Sequence, residues 1–166
     1  MTSSELIVDA FGRIRQVVHK VVEGLSSEQL SVRLDGRANS IAWLVWHLTR
    51  VQDDHVAEVA DVEQVWTSEG WVDRFALPFD PSATGFGHSS SEVDAVTVES
   101  GGLLTAYHDA VYGTTIRFVE RLTDDDLNRI VDESWDPPVS LGVRLISVVS
   151  DDFQHAGQAA MVKGLL

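Results

Sequence analysis

Six consecutive apolar residues, Ile41-Ala42-Trp43-Leu44-Val45-Trp46, follow directly on Asn39-Ser40. Asn and Ser are good N-cap residues, because their side-chain oxygens accept from backbone N–H groups that the first helical turn leaves free. A helix over Ile41–Ala60 is therefore expected, apolar almost all round in its first half, with Leu48 continuing the run. Its second half turns charged, at Asp53, Asp54 and Glu58, with Asp61 just beyond. A helix buried on every side needs neighbours on every side, and a bundle is the architecture that supplies them.

Other segments offer those neighbours. Ser4 to Leu25 follows a Thr2-x-x-Glu5 capping box and places Ile7, Phe11, Ile14, Val18, Val21 and Val22 at helical spacings before Gly24 ends it. A third helix is expected over Leu103–Leu122, with Leu104, Tyr107, Val111, Ile116 and Val119 as its stripe. Ser140 caps a final helix that runs nearly to Leu166. Ser26-x-x-Gln29 and Ser89-x-x-Glu92 begin short helices, the second stalling at Gly101-Gly102. Between Glu63 and Ser91, Pro78, Pro81, Gly70, Gly85 and Gly87 break a stretch that holds Trp66, Trp71, Phe75, Phe79 and Phe86. It is expected to be a loop lying as a flap over one end of the bundle. Trp135-Asp136-Pro137-Pro138 is expected to be a rigid linker, since tandem prolines exclude helix. With no alternating hairpin and no repeat, the reading is an all-α four-helix bundle with a long aromatic-rich loop between helices 2 and 3, residues 1–166 forming one domain.

Charge narrows the partners. Twelve Lys and Arg against 26 Asp and Glu give a formal net charge of −14, with the basic residues scattered singly. Such a surface repels phosphate backbones and anionic lipid, so neither nucleic acid nor membrane is an expected partner. The six-residue apolar run is far too short to span a bilayer, and Met1-Thr2-Ser3-Ser4-Glu5-Leu6 is no secretory signal. A soluble cytoplasmic protein acting on a small molecule is the expectation. The chain has no cysteine, which excludes disulfides, Cys-ligated zinc and a Cys nucleophile together.

Chemistry concentrates in the final helix. Asp151 and His155 are four residues apart and project from one face. At 100° per residue, Leu141, Arg144, Val148, Ala159 and Val162 fall within about 40° of His155, so the pair sits in a mostly apolar, core-facing stripe. A carboxylate there needs a cation or strong donors, Arg144 being one candidate. His47 comes directly after the most hydrophobic stretch of the chain; Trp43, Val51, Asp54 and Glu58 share its direction, while His55 swings about 80° away. If the second and last helices pack together, His47, Asp151 and His155 meet. Two imidazoles and one carboxylate with open positions suit zinc first, with nickel, iron(II) or manganese also admitted. Asp54 is then a candidate outer acceptor or general base.

Trp46-His47-Leu48 in a second helix, His155-x-x-Gln158 closing the last, and four helices overall resemble the DinB-like superfamily, over nearly the whole chain. That group includes mycothiol-dependent maleylpyruvate isomerases and bacillithiol transferases. The resemblance implies a divalent metal held by one His on the second helix and two residues at i, i+4 on the fourth, here His47, Asp151 and His155. Many members carry His where Asp151 stands, and the maleylpyruvate isomerase branch carries Glu, one methylene longer than Asp. It implies a transferase or isomerase that borrows a low-molecular-weight thiol such as mycothiol or bacillithiol. The alternatives are a metal-binding or stress-response module without catalysis and a metal-dependent hydrolase.

Other candidates have plainer readings. His88 is expected in a surface turn rather than a lid, His19 on the surface, Asp152 on a polar edge, and Asp53-Asp54 and Asp124–Asp126 on solvated faces. Tyr107 and Tyr112 read as core-edge residues, with His108 beside them. Ile146, Val149 and Phe153 lie opposite His155, which suggests either a central helix or a homodimer, and frequent dimerisation in the family favours the dimer.

Overall fold

The computed structural model describes residues 1–166 as an α-helical bundle with one small hairpin. Its four long helices are α1 (Ser3–Val22), α3 (Ile41–Ala60), α7 (Gly101–Val119) and α8 (Leu141–Gly164), and the short α2 (Ser27–Leu30), α4 (Val65–Ser68), α5 (Trp71–Phe75) and α6 (Ser90–Ala95) fill the connections. The capping residues act as the sequence suggests. Thr2, Ser26 and Ser89 complete capping boxes with Glu5, Gln29 and Glu92, and Ser40 and Ser140 accept from the N–H groups of Trp43 and Val143.

Neighbouring side chains give the helix directions. Gly101 lies against Val22 and Gly12 against the Tyr112 hydroxyl, so α1 and α7 are antiparallel. His47 approaches Asp151 and His155 while His55 meets Arg144, so α3 and α8 are antiparallel as well. Thr49 touches His108 and Gln52 touches Thr115, which makes α3 and α7 parallel. Parallel neighbours need a connection that travels back along the helix, about 30 Å for twenty residues. The long segment between α3 and α7 meets that requirement.

That segment is more than a loop. Trp66, Trp71 and Phe75, on α4 and α5, are buried and join the continuous core formed with Phe11, Ile14, Trp46, Leu104 and Leu145. The flap expectation thus understates it: the aromatics build short helices because they have core to bury against. Two other expectations are corrected. Gly101-Gly102 open α7 rather than stall α6, and Gly101 is favoured there because an added Cβ would crowd Val22 at 3.0 Å. The tandem-proline stretch is the tip of a hairpin, with β1 (Ile130–Asp132) antiparallel to β2 (Val139–Ser140). Arg144 fastens this hairpin to the bundle by pairing Asp132 at 3.0 Å and Glu58 at 2.7 Å. It therefore takes partners other than Asp151.

The outer side of α8 stays uncovered. Val149 is buried, but Ile146 and Phe153 are exposed. The helix packs against α1 and α3 and is not enclosed on all sides. No helix is long and apolar enough to cross a membrane.

Candidate metal centre

The antiparallel packing of α3 on α8 brings His47, Asp151 and His155 together, each offering one ligand atom, all within 4.8 Å of one another. His47 is buried and stacks on Trp43, with ring centroids 4.5 Å apart and planes 19° from parallel. Its Nδ1 lies 2.6 Å from the Thr84 carbonyl oxygen. A carbonyl can only accept, so Nδ1 carries the proton and Nε2 keeps its lone pair. His155 repeats the arrangement: its Nδ1 lies 2.9 Å from the side-chain oxygen of Gln158, and its Nε2 lies 3.6 Å from Asp151 Oδ1. Both imidazoles are thus held from behind by an acceptor, which is how metal-binding histidines are oriented.

Asp151 completes the set with an orphan. Its Oδ2 is buried and finds no hydrogen-bond partner. Oδ1 faces His155 Nε2 at 3.6 Å, beyond hydrogen-bond reach, so the carboxylate as a whole is under-satisfied beside two imidazoles, a need that a divalent cation would answer. The titration behaviour agrees. The contact with Asp151 raises the His155 pKa above its ordinary value, against the opposing effect of burial. Burial would raise the Asp151 carboxyl, but His155 and His47 outweigh it and the net direction is down. Burial lowers His47, so its imidazole stays neutral more readily.

Gly85 makes the close approach of the covering segment to His47 achievable. At φ 95° an added Cβ would fall 2.8 Å from His47 Nδ1 and 3.0 Å from the Trp46 ring. Only a residue without a side chain fits. Gly85 is visible in the sequence as a loop breaker, but nothing in its spacing indicates that Thr84 supplies the carbonyl behind His47.

A cavity of about 410 Å³ opens beside the cluster, with His47 and Asp151 in its lining. Its apolar walls include Val51, Val148, Phe86 and Trp135, and the last two are 91% and 66% exposed. His55, Asp54 and Arg144 add polar groups to its lining. His55 therefore shares the cavity with His47 although the helical projection separates them. Arg144 has no acceptor, so it donates to His55 Nδ1 at 3.0 Å. Asp54 accepts from Gln64 at 2.7 Å.

The other expected candidates lie away from the cluster or brace it. His88 is half-buried, accepts from the Trp43 indole at 3.2 Å and packs on Phe79, so it supports Trp43 and is no plain surface turn. Asp53 is buried, not solvated: it accepts from the backbone N–H of Val65 and Trp66 and from the Tyr107 hydroxyl. Tyr107 and His108 are wholly buried, and His108 meets Thr49 at 3.1 Å. His19 pairs with Asp109 at 2.8 Å. Asp152, expected at a polar edge, is completely buried with both oxygens unpartnered. α8 meets both α1 and α3, so its buried arc is wider than one stripe and takes in Asp152.

Comparison with known proteins agrees with this architecture. A conserved protein from Enterococcus faecalis, known from its crystal structure, superposes with a TM-score of 0.92 over 98% of this chain and 96% of that one, at 24% sequence identity. That likeness shows the fold. No curated protein matches the sequence. The model of the mycothiol-S-transferase family matches residues 6–166, so the chain that builds this bundle belongs to that DinB-like family.

Proposed function

We propose that this protein is a divalent-metal-dependent transferase that uses a low-molecular-weight thiol of the mycothiol type, with His47, Asp151 and His155 as the metal ligands. The observation that carries the reading is convergence: two imidazoles, each held by an acceptor behind its ring, and the under-satisfied Asp151 carboxylate bring ligand atoms within 4.8 Å of one another beside a cavity. Family membership supports thiol transfer over isomerisation. A divalent cation held there, zinc being the first choice for this donor set, supplies the Lewis acidity that makes a thiol nucleophilic at neutral pH. The chain contributes no cysteine, so the thiol comes from the small molecule.

The remaining residues bind. Val51 and Val148 offer apolar surface in the cavity, and the exposed Phe86 and Trp135 rings offer more for a bound substrate to cover. His55, with Nδ1 engaged by Arg144, keeps its Nε2 proton as a donor in the lining of the cavity. A purely structural metal is disfavoured, because such sites close with four protein ligands and this cluster has three. The uncovered residues Ile146 and Phe153 on α8 are where a homodimer would form.

Metal analysis tests the reading. Purified protein supplemented separately with zinc, nickel, manganese and iron is expected to retain about one equivalent of at least one of them. A cobalt-substituted sample is expected to change its visible spectrum when mycothiol is titrated in. Failure to retain any metal would overturn the proposal, and an unchanged spectrum would overturn its thiol half.

A further inference from the structure

Arg50 lies one turn beyond His47 on α3 and has no exposed surface. Burying a guanidinium is costly unless its donors find acceptors. Two of its acceptors are backbone carbonyls of the segment that covers α3. Nε donates to Ala83 O at 3.1 Å and a terminal nitrogen to Pro81 O at 3.5 Å, while the other terminal nitrogen donates to Gln64 Oε1 at 2.8 Å. Asp53 at 3.6 Å and the Trp66 ring at 5.1 Å hold the guanidinium in place.

The segment it grips has little structure of its own. Across residues 77–88 the backbone bonds to itself only from Ala83 N to Asp80 O and from His88 N to Gly85 O. Its path is therefore set by what it touches. Directly after Ala83 comes Thr84, whose carbonyl accepts from His47 Nδ1 at 2.6 Å, and then Gly85, pressed against the same ring. Residues 83–85 form one joint, gripped by Arg50 at its first residue and by His47 at its second.

We infer that Arg50 is a positioning residue for His47. By holding the Pro81 and Ala83 carbonyls it fixes the Thr84 carbonyl, which decides which His47 nitrogen carries the proton and which faces Asp151 and His155. The consequence for metal affinity rests on the proposed function above; the tautomer of His47 is a property of the metal-free chain and stands apart from it.

Arg50→Lys keeps the charge beside Asp53 and removes the planar fork. Nitrogen-15 NMR of the histidine rings in metal-free protein reads the tautomer, and a cobalt(II) titration reads the affinity. Wild type is expected to show one Nδ1–H tautomer at His47. In Arg50→Lys, with helix content by circular dichroism unchanged, His47 is expected to show mixed tautomers, and cobalt affinity to fall about 10- to 100-fold. If Arg50→Lys does not fold, the double variant Arg50→Gln/Asp53→Asn removes both charges and leaves neither orphaned, and the same mixed tautomers are expected. A folded variant of either kind with the wild-type His47 tautomer overturns the inference. Mixed tautomers in a protein whose wild type binds no cobalt support the positioning role while removing the metal reading.

Discussion

Helix α3 carries two buried polar clusters about one turn apart, and they differ in what they leave unfinished. Around Arg50 and Asp53 the partners are complete. Asp53 accepts from Val65 N–H, Trp66 N–H and the Tyr107 hydroxyl, and Arg50 is met by Gln64, Ala83 and Pro81. Around His47 only the outward partners are filled, by Thr84 behind His47 and Gln158 behind His155. Asp151 Oδ2 has no partner, Oδ1 stands 3.6 Å from His155 Nε2, and the cluster borders a cavity. A saturated network in a low dielectric rigidifies the structure, whereas an open one that converges beside a cavity has capacity left for a ligand. Burial alone does not separate the two; the unanswered atoms do.

The sharpest way to break this contrast is to damage both clusters in metal-free protein. Asp53→Ala strands the buried Arg50 charge and two backbone donors, and is expected to cost about 3–5 kcal/mol in urea denaturation. His47→Ala loses one hydrogen bond to Thr84 and some packing on Trp43, and is expected to cost only about 1–2 kcal/mol. Equal losses would mean that both clusters are structural.

Metal binding should reverse the ranking. His155→Ala removes a proposed ligand, so zinc affinity by calorimetry is expected to fall more than about a hundredfold, roughly 2.7 kcal/mol. Tyr107→Phe, which removes one donor to Asp53 and leaves Arg50 bonded to Pro81 and Ala83, is expected to retain binding within about tenfold where it folds. Wild-type zinc affinity in His155→Ala would remove the open cluster from consideration as a metal site.

These two clusters also mark how far the sequence could be read. α3 occupies the expected Ile41–Ala60, since an N-cap followed by an all-apolar half-helix leaves little freedom. His47, Asp151 and His155 were legible because helical periodicity places i, i+4 residues on one face and because a histidine beside such an apolar run is unusual. The closed cluster was not. Asp53 sits in a charged half-helix that looks solvated until the α4 backbone covers it, and that contact spans twelve residues with no periodic signal. Thr84 was hidden for a related reason: it contributes a carbonyl, which every residue has. The hairpin escaped because strands of three and two residues are too short to show alternation.

The pH dependence of metal binding sharpens the contrast within the open cluster itself. Asp151 raises the His155 pKa, whereas burial lowers that of His47, so the proton a metal must displace sits on His155. As pH falls through that raised value, which lies above 6.5, affinity is expected to drop about tenfold per unit. For the metal-free fold the sign is opposite. A raised histidine contributes stability that is present below its unfolded pKa and lost as pH rises through the folded one. Because burial depresses His47 and His108 and so gives them the opposite sign, the test is the difference between wild type and His155→Gln. The wild-type advantage in thermal stability should shrink from pH 5.5 to 8.5 while wild-type zinc affinity grows, and an advantage that does not shrink would assign the proton elsewhere.

Asp152 belongs to neither cluster and gives the smallest test. It is adjacent to Asp151 in sequence, yet it is wholly buried with no partner for either oxygen. Burial, then the neighbouring Asp151 charge, raises its pKa well above the ordinary carboxyl value. The folded chain thus retains a proton that the unfolded chain releases, and stability declines as pH rises from the unfolded value towards the folded one. Asp152→Asn keeps the shape and removes this linkage, so it is expected to stabilise the protein at pH 7 by roughly 1 kcal/mol. The gain should vanish near pH 3.5, where both states carry the proton, and thermal melts of the two proteins at the two pH values would show it. Destabilisation at pH 7 would mean that Asp152 is ionised in the fold and answered by a partner. That would move it into the class of saturated polar residues to which Asp53 belongs.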